Sequence, residues 1–188
     1  MGRYVLFSVL AIGGLLADLI TKTLVFKNHF HAQDPSVSHW WVDGVFGIQT
    51  SFNGGALFGM FQGGSFWLAC LSILALSGIL IWLFIFKMAA SRFLTITLGL
   101  ITGGVVGNLY DRMGFGYVQE HPEHTVYHVR DWIHFRLEGV PFFDPWPNFN
   151  IADGLLVVGA CMLFLFAVFV PEDSLPGHNK GEEETSDE

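Results

Sequence analysis

Ionisable and amide side chains occur in this sequence at the ends of long apolar stretches, where such groups are rare. Asp18 and Lys22 lie towards the end of the first stretch, whereas Asn150 and Asp153 stand at the start of the last one. An ionisable group near the centre of a membrane span costs about 2.5–3.5 kcal/mol and usually faces the protein interior or a wet cavity. Carboxyl groups can accept and donate protons there. The sequence therefore predicts proton chemistry within a membrane.

The composition is that of a membrane protein and not of a soluble domain. Of 188 residues, 52% are hydrophobic and 14% are charged, and the mean hydropathy is +0.47. A helix of about 20 residues crosses a hydrocarbon core of about 30 Å, and helices satisfy their own backbone groups in lipid. We predict an all-α integral membrane protein, a four-transmembrane-helix bundle with a small extracytoplasmic loop/β subdomain. Its helices are predicted at about 5–26, 66–86, 93–110 and 151–170.

The chain is predicted to form a single membrane-embedded domain over residues 1–170. Four crossings put both termini on one side and the loops 27–65 and 111–150 on the other. The N-terminus and the short turn between the second and third helices are basic, so the positive-inside rule predicts cytoplasmic termini. We interpret the first stretch as a retained helix, because its apolar run is too long for a cleaved signal peptide. The acidic tail, 171–188, is predicted to be disordered.

The cysteines and histidines do not predict a metal site. Cys70 and Cys161 lie within apolar helices without partner spacing, so we interpret them as buried small apolar side chains. His121, His124 and His128 share one loop, but the H-E-x-x-H pattern of zinc peptidases is absent. A solvated loop is the favoured interpretation, and no metal or other cofactor is expected.

With this topology the polar residues converge in one leaflet. The end of the third helix adds Asn108, Asp111 and Arg112 to the groups at the ends of the first and fourth helices. Asp18 and Lys22, four residues apart, could form an internal ion pair with only a structural role. Asp153, however, has no basic residue within one helical turn. The convergence of the whole set therefore favours a functional site.

Two loop segments are expected to join this site. "SFNGGALFGMF" (51–61) is rich in glycine and apolar residues, which suits a close backbone approach to an extended peptide or an acyl chain. "VRDWIHF" (129–135) places Asp131 among aromatic side chains that suit the membrane interface.

Five sequence blocks carry a resemblance to a known family. They are DLITK (18–22), NGGALF (53–58), GGVVGNLYDR (103–112), RDWIHF (130–135) and FNIAD (149–153). In this order and at these helix ends they resemble the lipoprotein signal peptidases, also called signal peptidase II, over about residues 5–170. The resemblance implies an aspartic endopeptidase of the bacterial inner membrane. Such an enzyme removes the signal peptide of a lipid-modified prolipoprotein just before the diacylglyceryl-cysteine.

The resemblance also implies roles for particular residues. By motif, the catalytic pair is Asp131 and Asp153, of which one would take a proton from water while the other polarises the scissile carbonyl. The expected partners are prolipoproteins and membrane phospholipid, with no nucleic acid, and one chain could hold a complete site. Residues implied to position the pair or to bind substrate are Asp18, Lys22, Asn53, Gly55, Ala56, Asn108, Asp111, Arg112, Asn150 and Ala152.

The chain departs from the family pattern between the third and fourth blocks. Family members usually reach the catalytic Asp sooner after the N-x-x-D-R block. Spacing alone would select Glu120, and Asp111 is a third candidate, but the surrounding motif favours Asp131. Arg130 stands where a small aliphatic residue is usual. An inward guanidinium would lower the pKa of Asp131, so we expect Arg130 to point to solvent or to headgroups.

A second class of function is open to the same residues. A small proton- or ion-coupled transporter could use intramembrane carboxyls and a lysine as a relay. Internal repeats, broken helices or polar residues through the full bilayer depth would be expected of it. The polar residues here cluster in one leaflet, which favours the peptidase. The relay residues would be Asp18, Lys22, Asp111 and Asp153.

Overall fold

Four long helices form the largest part of the protein. A computed structural model describes residues 2–30, 39–55, 63–85, 91–116 and 126–169. All four helices are long and apolar enough to cross a membrane, as the apolar stretches predicted. They are α1 (Arg3–His29), α2 (Ser65–Leu80, continued by a π-helical turn at Ile81–Ile85), α3 (Arg92–Arg112) and α4 (Ile151–Phe169).

Helix α3 lies at the centre, in contact with α1, α2 and α4. Its glycines permit this, because small residues let helix backbones approach closely. A Cβ on Gly103 would lie 3.0 Å from the Ala11 carbonyl of α1, and one on Gly104 would lie 2.6 Å from the Ala152 carbonyl of α4. As a result, 61% of the apolar span of α3 is buried, against 11% in each of the other helices.

A small antiparallel sheet covers one end of the helices. Its strands, in spatial order, are β1 (His39–Val42), β2 (Phe46–Asn53), β3 (Val129–Phe135) and β4 (Trp146–Phe149). Ile48, Trp132 and Ile133 of the sheet pack with Phe26 near the end of α1. The expected β subdomain is therefore present, and the segment 129–135, which the sequence suggested was a loop, is strand β3.

Some sequence-based expectations are corrected by the structure. Helix α3 continues through Asp111 and Arg112, since the Met113 N–H still donates to the Leu109 carbonyl at 2.9 Å. Cys70 and Cys161 are exposed, so their interpretation as buried side chains was wrong. The reason is that α2 and α4 bury only the narrow face that packs on α3. Ala56, Glu120, His121, His124 and the tail 171–188 lie outside the described residues.

Candidate active site

Two carboxyl groups meet where β4 passes into α4. Asp153 belongs to the first turn of α4, and Asp131 lies on the neighbouring strand β3. Asn150 lies between them, and its Nδ2 donates to Asp131 Oδ1 at 2.6 Å. The Asp153 N–H donates to Asn150 Oδ1 at 3.0 Å, while the Asn150 N–H donates to Asp153 Oδ2 at 3.1 Å. This reciprocal arrangement is a capping box, so the start of α4 also fixes the orientation of Asp153.

Asn108 of α3 joins the same group of side chains. Its Nδ2 donates to Asp153 Oδ1 at 2.8 Å. Its Oδ1 accepts from Asn150 Nδ2 at 3.2 Å and from Lys22 Nζ at 3.0 Å. Because the amide donates on one side and accepts on the other, its orientation is determined. Asn108 therefore links α1, α3 and α4 at the depth of the carboxyl pair.

Lys22 is fully buried among acceptors from two helices. Its Nζ lies 2.7 Å from Asp18 Oδ2 and 3.1 Å from Asp111 Oδ2. Asp18 in turn accepts the Ala152 N–H at 2.9 Å through Oδ1. A Cβ on Gly107 would lie 2.6 Å from Asp18 Oδ2, so this network needs the glycine. The i,i+4 pair suggested by the sequence is present, and it is connected to the carboxyl site through Asn108.

A cavity opens beside Asp153. Its volume is about 170 Å³, and its lining includes Asn53, Asn108, Arg112, Asp153, Trp146 and Leu156. Arg112 Nη2 donates to the Gly55 carbonyl at 2.9 Å. The Gly55 N–H donates to Asn53 Oδ1 at 2.9 Å. Arg112 and Asn53 therefore connect the end of β2 to the mouth of the site.

Asp131 is almost completely enclosed, with 2% of its surface exposed. Burial raises the pKa of Asp131 well above its ordinary value, and the nearby Asp153 carboxyl raises it further. The charge of Lys22 and hydrogen bonds from Asn150 and Asn53 lower this pKa and oppose the shift only in part. The surroundings of Asp131 therefore favour its protonated form.

Comparison with known proteins identifies the family. The family model of signal peptidase (SPase) II matches residues 10–169. The chain belongs to the signal peptidase II family. Membership in this family implies a protease, and the helices are those of a multi-pass bacterial membrane protein.

Individual relatives agree with the family. A lipoprotein signal peptidase of Rhodopirellula baltica is 45% identical over 163 residues, which are 87% of this chain and 71% of the relative. One from Symbiobacterium thermophilum is 34% identical over 164 residues, 86% of this chain and 93% of the relative. A bacterial membrane enzyme solved by the in meso method at 2.3 Å resolution has a TM-score of 0.65 and 22% identity, covering 85% of each chain. The likeness to this solved structure supports the fold alone.

The structure brings together the signal peptidase II residues that were predicted from sequence, apart from Ala56, which lies outside the described residues. Asp111, the third candidate for the catalytic role, is paired with Lys22 and Arg130. Neither Asp111 nor Asp131 lines the cavity, but Asp131 is connected through Asn150 to Asp153, which does. Asn148 of β4 also lines the cavity, and it was not predicted from sequence. Its Nδ2 donates to the Gln49 carbonyl at 3.0 Å and to Ser51 Oγ at 3.1 Å. Its position two residues before Asn150, on the same face of an extended segment, is the signal that could have identified it.

The expectation that Arg130 points outwards was wrong. Only 3% of Arg130 is exposed, and its Nη2 lies 2.8 Å from Asp111 Oδ1. Arg130 and Asp131 are successive strand residues, and successive side chains point to opposite faces of a strand. The guanidinium can therefore be buried beside Asp111 while Asp131 faces Asn150.

Because its pKa is raised, Asp131 makes the stability depend on pH. The folded state binds this proton at pH values where the unfolded state, with a carboxyl pKa near 3.8, has released it. The free energy of unfolding should therefore fall as pH rises from about 4 to the folded pKa of Asp131, by about 1.4 kcal/mol for each pH unit in that interval. Asp131→Asn should remove this slope.

Denaturation of the purified protein in detergent at a series of pH values measures this effect. Asp144→Asn is the matched control, because the Gly139 N–H and Arg136 lower the pKa of Asp144. Ionised Asp144 stabilises the folded state at pH values above the pKa that it has in the unfolded chain. This stabilisation is lost as the pH falls through the lower pKa of Asp144 in the folded state. An identical pH slope for wild type and Asp131→Asn would contradict the assignment.

Proposed function

We propose that this chain is an aspartic endopeptidase that removes the signal peptide from diacylglyceryl-modified prolipoproteins just before the lipidated cysteine. The observation that carries the proposal is the hydrogen-bonded series of Asp131, Asn150 and Asp153 beside a cavity. Two carboxyls in unequal environments can divide the roles of acid and base between them. Membership in the signal peptidase II family supports the reaction.

The balance of charge around the pair supports a shared proton. Uncompensated charge is costly in a buried site, so a cluster with no net charge is favoured. The described part of the site contains four carboxyls and three basic groups, so one proton among the carboxyls leaves it neutral. These groups are Asp18, Asp111, Asp131 and Asp153 with Lys22, Arg112 and Arg130.

The mechanism needs only the pair and a water molecule. The ionised carboxyl takes a proton from water, whose oxygen attacks the scissile carbonyl carbon, while the protonated carboxyl donates a hydrogen bond to the carbonyl oxygen. The tetrahedral intermediate then collapses as a carboxyl gives a proton to the leaving nitrogen. Asn108 and Asn150 orient Asp153 throughout, because their hydrogen bonds to it do not depend on the proton that moves.

The lining of the cavity suits a peptide that enters from the membrane. Apolar side chains of α3 and α4, Val105 and Leu156, line it together with polar groups of the site. Helices α2 and α4 each pack on α3 and make little contact with each other. Among the described residues Arg112 Nε has no hydrogen-bond partner, so this buried donor is available to a substrate carbonyl.

We further propose that the four helices span the bacterial cytoplasmic (inner) membrane as a bundle. Both termini would lie in the cytoplasm, and the sheet and active site would lie towards the outer leaflet. A lipid-modified substrate would present its cleavage bond at this depth. All described residues of the site come from one chain, so a monomer with its surrounding phospholipid would be sufficient for activity.

Membership in the signal peptidase II family does not support a proton- or ion-coupled transporter. In the described helices the ionisable residues of the site lie at one end of α1, α3 and α4. A relay across the membrane would need such groups at several depths.

Cleavage by the purified protein in detergent tests the proposal. The substrates are a prolipoprotein that carries diacylglyceryl on its cysteine and the same prolipoprotein without lipid. We expect cleavage of the modified form, with a product whose first residue is the lipidated cysteine by mass spectrometry. Folded wild-type protein that leaves the modified substrate intact would refute the proposal.

A further inference from the structure

Arg130 makes an unusually complete set of contacts with one carboxylate. Its Nε donates to Asp111 Oδ1 at 2.9 Å, and its Nη2 lies 2.8 Å from the same oxygen. Its backbone N–H donates to Asp111 Oδ2 at 3.1 Å. The guanidinium also lies 6.0 Å from the centre of the Phe26 ring. Both oxygens of Asp111 are thus bound by Arg130, through the side chain and the backbone together.

This ion pair joins the two ends of the chain segment between α3 and β3. Asp111 is the last residue but one of α3, and Arg130 is the second residue of β3, nineteen positions later in the chain. A Cβ on Gly116 would overlap Asp111 Oδ1 and lie 2.9 Å from Arg130 Nε, so the chain that leaves α3 packs directly on the pair. The entropy lost on joining two chain ends rises with the length between them. A strand that follows such a long connection needs a contact of its own to fix its start.

The start of β3 also fixes the position of Asp131. The Arg130 carbonyl accepts from Asn150 Nδ2 at 3.5 Å, and the same Nδ2 donates to Asp131 Oδ1 at 2.6 Å. A shift of Arg130 would therefore move two of the three acceptors of the Asn150 amide nitrogen, the third being Asn108 Oδ1. Since a misplacement of about 1 Å can cost about 100-fold in rate, a contact that fixes this strand has a direct consequence for catalysis.

We propose that Arg130 is a positioning residue, which fixes Asp131 against Asn150 by binding Asp111 across the base of the α3–β3 connection. The inference rests on the proposed peptidase function. Arg130 acts through the backbone of β3 and takes no part in proton transfer, because its side chain lies on the opposite face of the strand from Asp131.

The test is a comparison of kcat and KM for the lipid-modified prolipoprotein in wild type and Arg130→Met. We expect kcat to fall about 10–100-fold with KM within about twofold, since the cavity that binds the substrate does not include Arg130. Arg136→Met is the matched control, as Arg136 follows β3 and forms an exposed pair with Asp144. It should keep wild-type kcat.

Two further variants make the result decisive. Arg130→Lys keeps a buried cation but not the planar set of donors, so kcat should fall less than in Arg130→Met, again with KM unchanged.

Replacing residues 117–125 by two glycines shortens the connection. In this shortened protein, Arg130→Met should lower kcat by a smaller factor than it does in the full-length chain. Wild-type kcat in both Arg130 variants would overturn the inference, as would a fall in kcat that is no larger than the fall in the folded fraction measured in the same samples. Absence of cleavage by wild type would instead refute the proposed function.

Discussion

Asp153→Asn should lower kcat for cleavage of a lipid-modified prolipoprotein by about 10²–10⁴-fold, the usual contribution of a positioned acid or base. An amide cannot take a proton from water or return one to the leaving nitrogen. The variant should still fold, because the Asn side chain can accept the Asn150 N–H that Asp153 now accepts. Asp131→Asn should cause a loss of similar size. Single-turnover cleavage, followed by gel electrophoresis, measures both.

Three further variants separate the catalytic pair from other acids. Asp43→Asn changes an exposed carboxyl in the β1–β2 turn and should keep full activity. Glu120→Gln should also be active. Asp111→Asn should act mainly on stability, because Asp111 is paired with Lys22 and Arg130. If Glu120→Gln were inactive while Asp131→Asn cleaved normally, the peptidase would stand but the second catalytic carboxyl would have to be reassigned.

Lys22→Met should have the largest effect on stability. Removal of one partner of a buried ion pair costs about 3–5 kcal/mol, because the remaining charge is uncompensated. Lys22 is fully buried and lies between Asp18 and Asp111. Asp111 would keep its ion pair with Arg130, so the uncompensated charge would be mainly that of Asp18. Unfolding of the purified protein in detergent measures the change.

Lys27→Met provides the control, since Lys27 is exposed in the last turn of the same helix. We expect it to change the free energy of unfolding by less than about 0.5 kcal/mol. Adding Asp18→Asn to Lys22→Met should recover part of the stability by removing the uncompensated carboxylate. Equal stabilities of Lys22→Met and Lys27→Met would contradict the role assigned to the buried ammonium.

The four helices could be predicted because lipid imposes a simple pattern on sequence. A span must be long and apolar, and the structure has such helices at each predicted position. Helix ends were less accurate, since polar residues such as Asp111 and Arg112 can extend a helix beyond its apolar part when they find partners. The sheet was expected only in outline. Its β2–β3 pairing, with Ser51 opposite Asp131, joins segments separated by two helices, and no local pattern encodes such a register.

The candidate site likewise contains residues that could be predicted from the sequence and one whose orientation could not. Asp153, Asn150 and Asn108 could be chosen by depth, because polar side chains at the end of an apolar span need partners. Arg130 could not be oriented in this way. Whether a strand residue points inwards depends on which acceptor faces it, and Asp111 faces it only after α3 and β3 have come together. Burial of a charged residue in this chain follows from tertiary pairing and not from local sequence.

The enclosure of α3 has a consequence for biogenesis. Its apolar span is the least hydropathic of the four, and it carries Asn108 and Asp111 towards its end. The transfer of such a segment into lipid without a partner helix is only weakly favourable in free energy. Its first partner, Lys22, belongs to α1, which leaves the ribosome earlier, whereas Ala152 and Asp153 arrive last with α4. We therefore expect α3 to partition from the translocon alongside α1, so that the interior of the enzyme is assembled in the order in which the chain is synthesised.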